Sequence, residues 1–147
     1  MYTFMTRILP MAAIFALAAC QGNTSTQTTA DSDSLMVDSL KAEVMDLHDE
    51  GMAHTMAIRR LTTRSKEVAD SLDSKKADAS SYKAAASLLD SANNAMNDWM
   101  HSFDFKMEGK TMAEKKTYLE EEKKKMTEVK ALMERSVNEA KALLKEE

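Results

Sequence analysis

The chain has 147 residues with 20 basic and 24 acidic side chains, a net charge of −4 at pH 7, one cysteine, one proline and three glycines. That length suits one domain and no more, and the mild acidity offers no footprint for nucleic acid. A single cysteine excludes an internal disulfide or cysteine metal cluster, and the scarcity of glycine and proline argues for long helices over a turn-rich β fold.

The first element is a leader. Arg7 precedes an uncharged apolar run from Ile8 to Ala19, the n-region and h-region of a signal peptide, too short to span a bilayer, which needs about 20 apolar residues. The run ends in Leu17-Ala18-Ala19-Cys20, a sequence that resembles the bacterial lipobox. That resemblance implies cleavage before Cys20 and lipidation of its sulfur. Residues 1–19 are then a removed lipoprotein signal peptide. Residues 20–33 are a lipidated cysteine with a flexible linker, because Thr, Ser, Gln, Asn and Asp there cannot bury a core. Residues 34–147 are the folded domain. Gln21 is not the aspartate that retains enterobacterial lipoproteins in the inner membrane, so a cell-envelope location at the outer membrane is favoured.

The first helix is predicted over Ser34–Leu72. Val37, Leu40, Val44, Leu47, Gly51, His54, Ile58, Leu61, Ser65, Val68 and Leu72 alternate spacings of three and four, a heptad seam. The polar stretch Asp73–Ser81 breaks it. A second seam, Tyr82, Ala85, Leu89, Ala92, Met96, Trp99, Phe103, predicts a helix from Ser80 to Phe105. Gly109 stops the chain again, and Thr111-Met112-Ala113-Glu114 has the form of a capping box that opens a third helix. Its seam is Leu119, Glu122, Met126, Val129, Met133, Ser136, Ala140, Leu143. Short connections force neighbouring helices to run antiparallel. The expected fold is therefore all-α: an elongated, coiled-coil-like, up-down-up three-helix bundle. Its shape and polar seam positions admit a homodimer or an envelope protein partner.

Methionine is concentrated unevenly. Met45, Met52 and Met56 share one side of the first helix with His48, within a sector of roughly 80° at 100° per residue. On the second, Met96 and Met100 flank Trp99, with His101 and Phe103 close by. In an unbroken hairpin about the Asp73–Ser81 loop, Met52 lies level with Met100 and His101, Met56 near Met96, and His48 near Phe103 to Phe105. Two readings follow. Methionine forms helices well and fills irregular gaps beside aromatics, so the stripe is core. Alternatively His48, Met52, Met56, Met96 and Met100, with Trp99 and His101 as accessories, bind Cu(I), because soft thioether sulfur selects it and imidazole tolerates it. An apolar groove for a partner helix or small ligand is the third possibility. His48, Asp49, Glu50 and Asp104 offer only a weak acid–base pairing. No nucleophile elbow, phosphate loop or His-Glu-x-x-His motif occurs, so no enzyme is expected.

His48-Asp49-Glu50-Gly51-Met52, Met96-Asn97-Asp98-Trp99-Met100-His101-Ser102-Phe103 and Ser136-Val137-Asn138-Glu139-Ala140 together resemble small helical lipoproteins of Bacteroidota, often labelled viral A-type inclusion proteins. The likeness runs from about Met45 to Leu144. It implies a helical cell-envelope lipoprotein and carries over no catalytic residues. One departure is that Met56 follows Met52 by four residues where related chains often use three. The sequence thus points to a non-enzymatic envelope lipoprotein with a structural or adaptor role and no cofactor, or alternatively to a copper(I)-buffering protein.

Overall fold

The computed structural model describes the backbone of residues 24–146 and side chains from Asp31. The predicted signal peptide and Cys20 lie outside the described residues. The fold is all-helical: α1 (Thr24–Met52), α2 (Thr55–Ser74), α3 (Ser80–Ser102) and α4 (Met112–Leu144). Helices α1 and α2 succeed one another as one broken arm. Helix α3 returns along α2, and α4 packs against α1 and α3, which makes three helical arms packed together.

All positions of the three predicted seams are buried or half-buried, and none is exposed. A heptad seam keeps one face toward its partners over many turns, so spacing alone selected the core. Its largest fully buried side chains include Val44, Ile58, Leu61, Leu89, Met96, Leu119, Met126 and Met133. Ion pairs fix the register between the first arm and α4. Glu43 meets Lys123, Glu50 meets Lys130, and His54 faces Glu134 at 3.9 Å. The same sequence offset recurs in all three pairs, so α4 runs parallel to the first arm.

The predicted first helix differs from the observed one in two ways. It is broken at Ala53–His54, where the His54 amide donates to the Gly51 carbonyl at 3.0 Å, a tightened turn inside the α-helical ladder. Glycine has low helix propensity and is a common site of kinks, and Gly51 stands two residues before Ala53, where the break begins. The helix also starts earlier than predicted. Helix α1 runs from Thr24 rather than Ser34, so residues 24–33, which composition assigns to the linker, are helical in backbone. From Thr24 to Glu50 there is no glycine or proline to stop a helix. Asp31, Ser32 and Asp33 are exposed, so these three residues add length without adding core.

Helix α3 ends at Ser102 rather than Phe105 because Phe103 is extended, with φ −70° and ψ 116°. The chain then crosses to α4 through a loop whose Gly109 has φ +76°, a left-handed value that glycine adopts without strain. The expected capping box is present. The Thr111 hydroxyl accepts from the Glu114 amide at 3.3 Å, and the Glu114 carboxylate accepts from the Thr111 amide at 2.7 Å.

The loop is also where charge bears most on acid stability. Asp104 accepts from the Lys110 ammonium at 2.7 Å and from the Met107 amide at 2.9 Å, and these bonds hold its pKa below the usual carboxylate value. Glu114 is likewise lowered, chiefly by the Thr111 amide. A carboxylate whose folded pKa is depressed adds stability above its unfolded value and loses it as pH falls through the folded one. The ordinary values are 3.8 for Asp104 and 4.5 for Glu114, so the thermal midpoint should fall as pH drops below that range. Thermal melts by circular dichroism across this range should show a shallower fall for Asp104→Asn. Equal slopes in the two proteins would refute the assignment.

Candidate functional site

The side chains singled out by sequence do come near one another at the junction of α1, α3 and α4, but they separate into distinct groups. At its centre is Trp99 on α3, 5 % exposed. Its indole Nε1 donates to Glu122 Oε2 at 2.8 Å, and Glu122 on α4 is itself only 3 % exposed. The other carboxylate oxygen accepts from Lys125 at 2.7 Å. A buried carboxylate is costly unless it is hydrogen-bonded, and here one neutral donor and one cation serve it.

Aromatic rings extend from this pair. His48 on α1 lies 5.6 Å from the Trp99 ring, Phe103 stacks on it at 4.8 Å, and Tyr118 stacks on Phe103 at 6.0 Å. His48 Nδ1 is bonded to Asp49 at 2.9 Å. The Tyr118 hydroxyl accepts from the Asp104 amide at 2.7 Å, and burial pushes its pKa up. The indole, the Glu122 carboxylate and the Tyr118 hydroxyl of this cluster are thus each hydrogen-bonded to another side chain or to the backbone.

The methionines fall elsewhere. Met96 is 1 % exposed and ends at Gly51. A Cβ built on that glycine would stand 2.5 Å from Met96 Cε, 3.4 Å from Met126 Cε and 3.5 Å from Met133 Sδ. Three buried thioether side chains from two helices therefore converge on the one residue of α1 with no side chain, and two of them do so with their methyl ends. Met52 is half-buried and its sulfur accepts from the Thr55 hydroxyl at 3.7 Å. Met56 is 72 % exposed and Met100 faces solvent too. Met56 lies beside Arg59 and Arg60 on the outer surface of α2. His101 is exposed and its Nδ1 donates to the Asn97 carbonyl at 2.6 Å, back onto its own helix.

The expected levels of the hairpin fail beyond the break. Near the loop, Asp73 pairs with Lys83 and Lys66 with Asp90. Past Ala53–His54, His48 lies against Trp99 rather than Phe103 to Phe105, and Gly51 lies against Met96. The sequence reading takes the first helix as unbroken; in the structure the break at Ala53–His54 lies between these two sets of contacts. Sequence reasoning also missed the third arm's share. Met126, Met133 and Glu122 were recognised as seam residues, but nothing in their spacing named Met96 and Trp99 as their partners.

Among the described residues, no group of three or more His, Cys, Asp or Glu side chains is placed to hold a metal ion. No helix among them is long and apolar enough to cross a membrane. A shallow groove of about 530 Å³ runs between α3 and α4, lined by Asp98, Trp99, Ser102, Lys125, Val129 and Leu132 among others. Compared with known proteins, the chain matches no family model, no curated protein and no solved structure.

Proposed function

We propose that this protein is a non-enzymatic lipoprotein of the cell envelope, tethered through lipid on Cys20 and acting as a structural or adaptor element. The observation that carries the reading is how the chemically capable side chains are used. Trp99 and Glu122 are buried and bonded to each other, and Met96, Met126 and Met133 pack around Gly51. These are contacts that hold a bundle together. The resemblance to Bacteroidota lipoproteins and the lipobox supply the cellular setting, with the outer membrane favoured. Several acyl chains on one residue anchor firmly, since each buried methylene contributes roughly 0.8 kcal/mol.

The test is metabolic labelling with an alkyne fatty acid, followed by membrane fractionation. Wild type should carry the label and sediment with membranes, and Cys20→Ala should lose both. Unlabelled wild-type protein in the soluble fraction would overturn the reading.

The copper alternative requires sulfurs and an imidazole nitrogen to converge within coordination distance. Met96 lies in the core, whereas Met56 and Met100 face outward, which weighs against a shared ligand shell. Anaerobic Cu(I) titration against a competing chelator should give the same result for wild type and for the Met52→Leu, Met100→Leu double mutant. A stoichiometric site in wild type that the double mutant lacks would restore the copper reading.

A further inference from the structure

Six large hydrophobic side chains are exposed among the described residues, and four of them, Leu35, Met36, Phe105 and Met112, lie at one end of the bundle. The reason is architectural. Helix α3 stops at Ser102, so the early turns of α1 run beside α4 and the 103–111 loop without a third helix. Met36 and Leu40 line a depression with Lys116 and Glu120 of α4. Phe105 is covered by Lys41, whose ammonium stands 3.5 Å from the ring centre and donates to the Phe105 carbonyl at 3.0 Å.

These side chains surround the end of the bundle. At 3.6 residues per turn, Met36 points roughly 100° and Lys41 roughly 240° round α1 from Leu35. Met112 opens α4 beside them. The charges of the loop are balanced, with Lys110 paired to Asp104 and Lys106 to Glu108. An apolar, locally neutral ring has no electrostatic preference for an anionic partner.

The same end leads back to Cys20. Helix α1 continues from Leu35 to Thr24, roughly 17 Å at 1.5 Å per residue, and the four residues from Cys20 to Asn23 reach at most about 14 Å. We propose that this end of the bundle leans on the lipid bilayer that holds Cys20, so that whichever of Leu35, Met36, Phe105 and Met112 faces the bilayer enters the headgroup layer. The proposal depends on the lipid-anchor reading. A tether this short keeps the ring beside the bilayer at high effective concentration, so weak individual contacts suffice. Because these side chains point to different sides of the end, more than one direction of lean brings an apolar side chain to the surface, and the projecting polar turns of α1 need not unwind.

The native cysteine is blocked by lipid in the mature protein, so an introduced cysteine is a unique labelling site. Lipidated protein carrying Leu35→Cys, Phe105→Cys, Met112→Cys or, at the opposite end, Lys76→Cys is spin-labelled and reconstituted into phosphatidylcholine vesicles. Accessibility to oxygen against a water-soluble nickel chelate is then compared. At least one of the labels at 35, 105 and 112 should show a ratio several-fold above that at 76, unchanged by high salt. Leu35→Cys alters a position that is 70 % exposed and lies outside the loop, so it preserves the test if Phe105→Cys disturbs the loop. Equal ratios at both ends would overturn the proposal. Intact mass separates the two failures: acylated protein with equal ratios sinks the bilayer contact alone, and protein without acyl mass sinks the anchor and the contact together.

Discussion

Trp99→Ala should lower the unfolding free energy by about 3–5 kcal/mol, the range for emptying a buried aromatic site. Three losses coincide. The indole volume is removed from a position 5 % exposed. The stacked contacts with Phe103 and His48 at 4.8 and 5.6 Å disappear, where aromatic pairs contribute about 0.5–1.5 kcal/mol beyond burial. Glu122 Oε2 then keeps a buried lone pair without the donor it had at 2.8 Å.

The hydrogen bond can be isolated from the volume. Trp99→Phe preserves most of the apolar surface but removes Nε1, leaving the carboxylate underserved at a cost of about 1–3 kcal/mol. Glu122→Leu leaves the opposite orphan, an indole N–H facing hydrocarbon. The double mutant leaves neither, so it should lose less stability than the two singles together, with a coupling of about 0.5–3 kcal/mol. Urea unfolding followed by far-ultraviolet circular dichroism reads all four proteins, since the fluorescence probe is itself removed. Strict additivity would mean that the Trp99–Glu122 bond contributes nothing to the native state.

The sequence revealed faces well and neighbours poorly, and this pair shows why. Heptad spacing placed both Trp99 and Glu122 on buried seams, and each is buried. It did not bring them together, because that needs the relative height of α3 and α4, which spacing within one helix does not contain. The capping box at Thr111 was legible because all its parts sit within four residues. The break at Ala53–His54 was not, because Gly51 fits the seam rhythm perfectly well as a small core residue. The levels of a straight hairpin do not hold past the break, and the candidate set of His48, Met52, Met56, Met96 and Met100 divides between core and surface. Local chemistry was readable; the register across the bundle was not, because it is set by contacts between helices.

That turn gives the second large effect. Gly51→Val should destabilise the bundle by about 1–3 kcal/mol through overpacking, although replacing a helical glycine ordinarily gains up to about 1 kcal/mol of helix propensity. The added Cβ would meet Met96 Cε at 2.5 Å, with Met126 Cε and Met133 Sδ close behind. Gly51→Ala poses a gentler version: only the far end of a flexible side chain must move, and the propensity gain offsets part of the strain, so its net effect should stay within about 1 kcal/mol. Met96→Ala separates crowding from backbone effects. Alone it should cost about 2–5 kcal/mol as a cavity. In that background, however, Gly51→Val fills vacated space, and its penalty should vanish or reverse when measured by the same urea unfolding. An unchanged penalty would locate the cost in the backbone at the Ala53–His54 turn. A vanished one would establish that Gly51 is required because the methionine ends occupy the volume where its side chain would be.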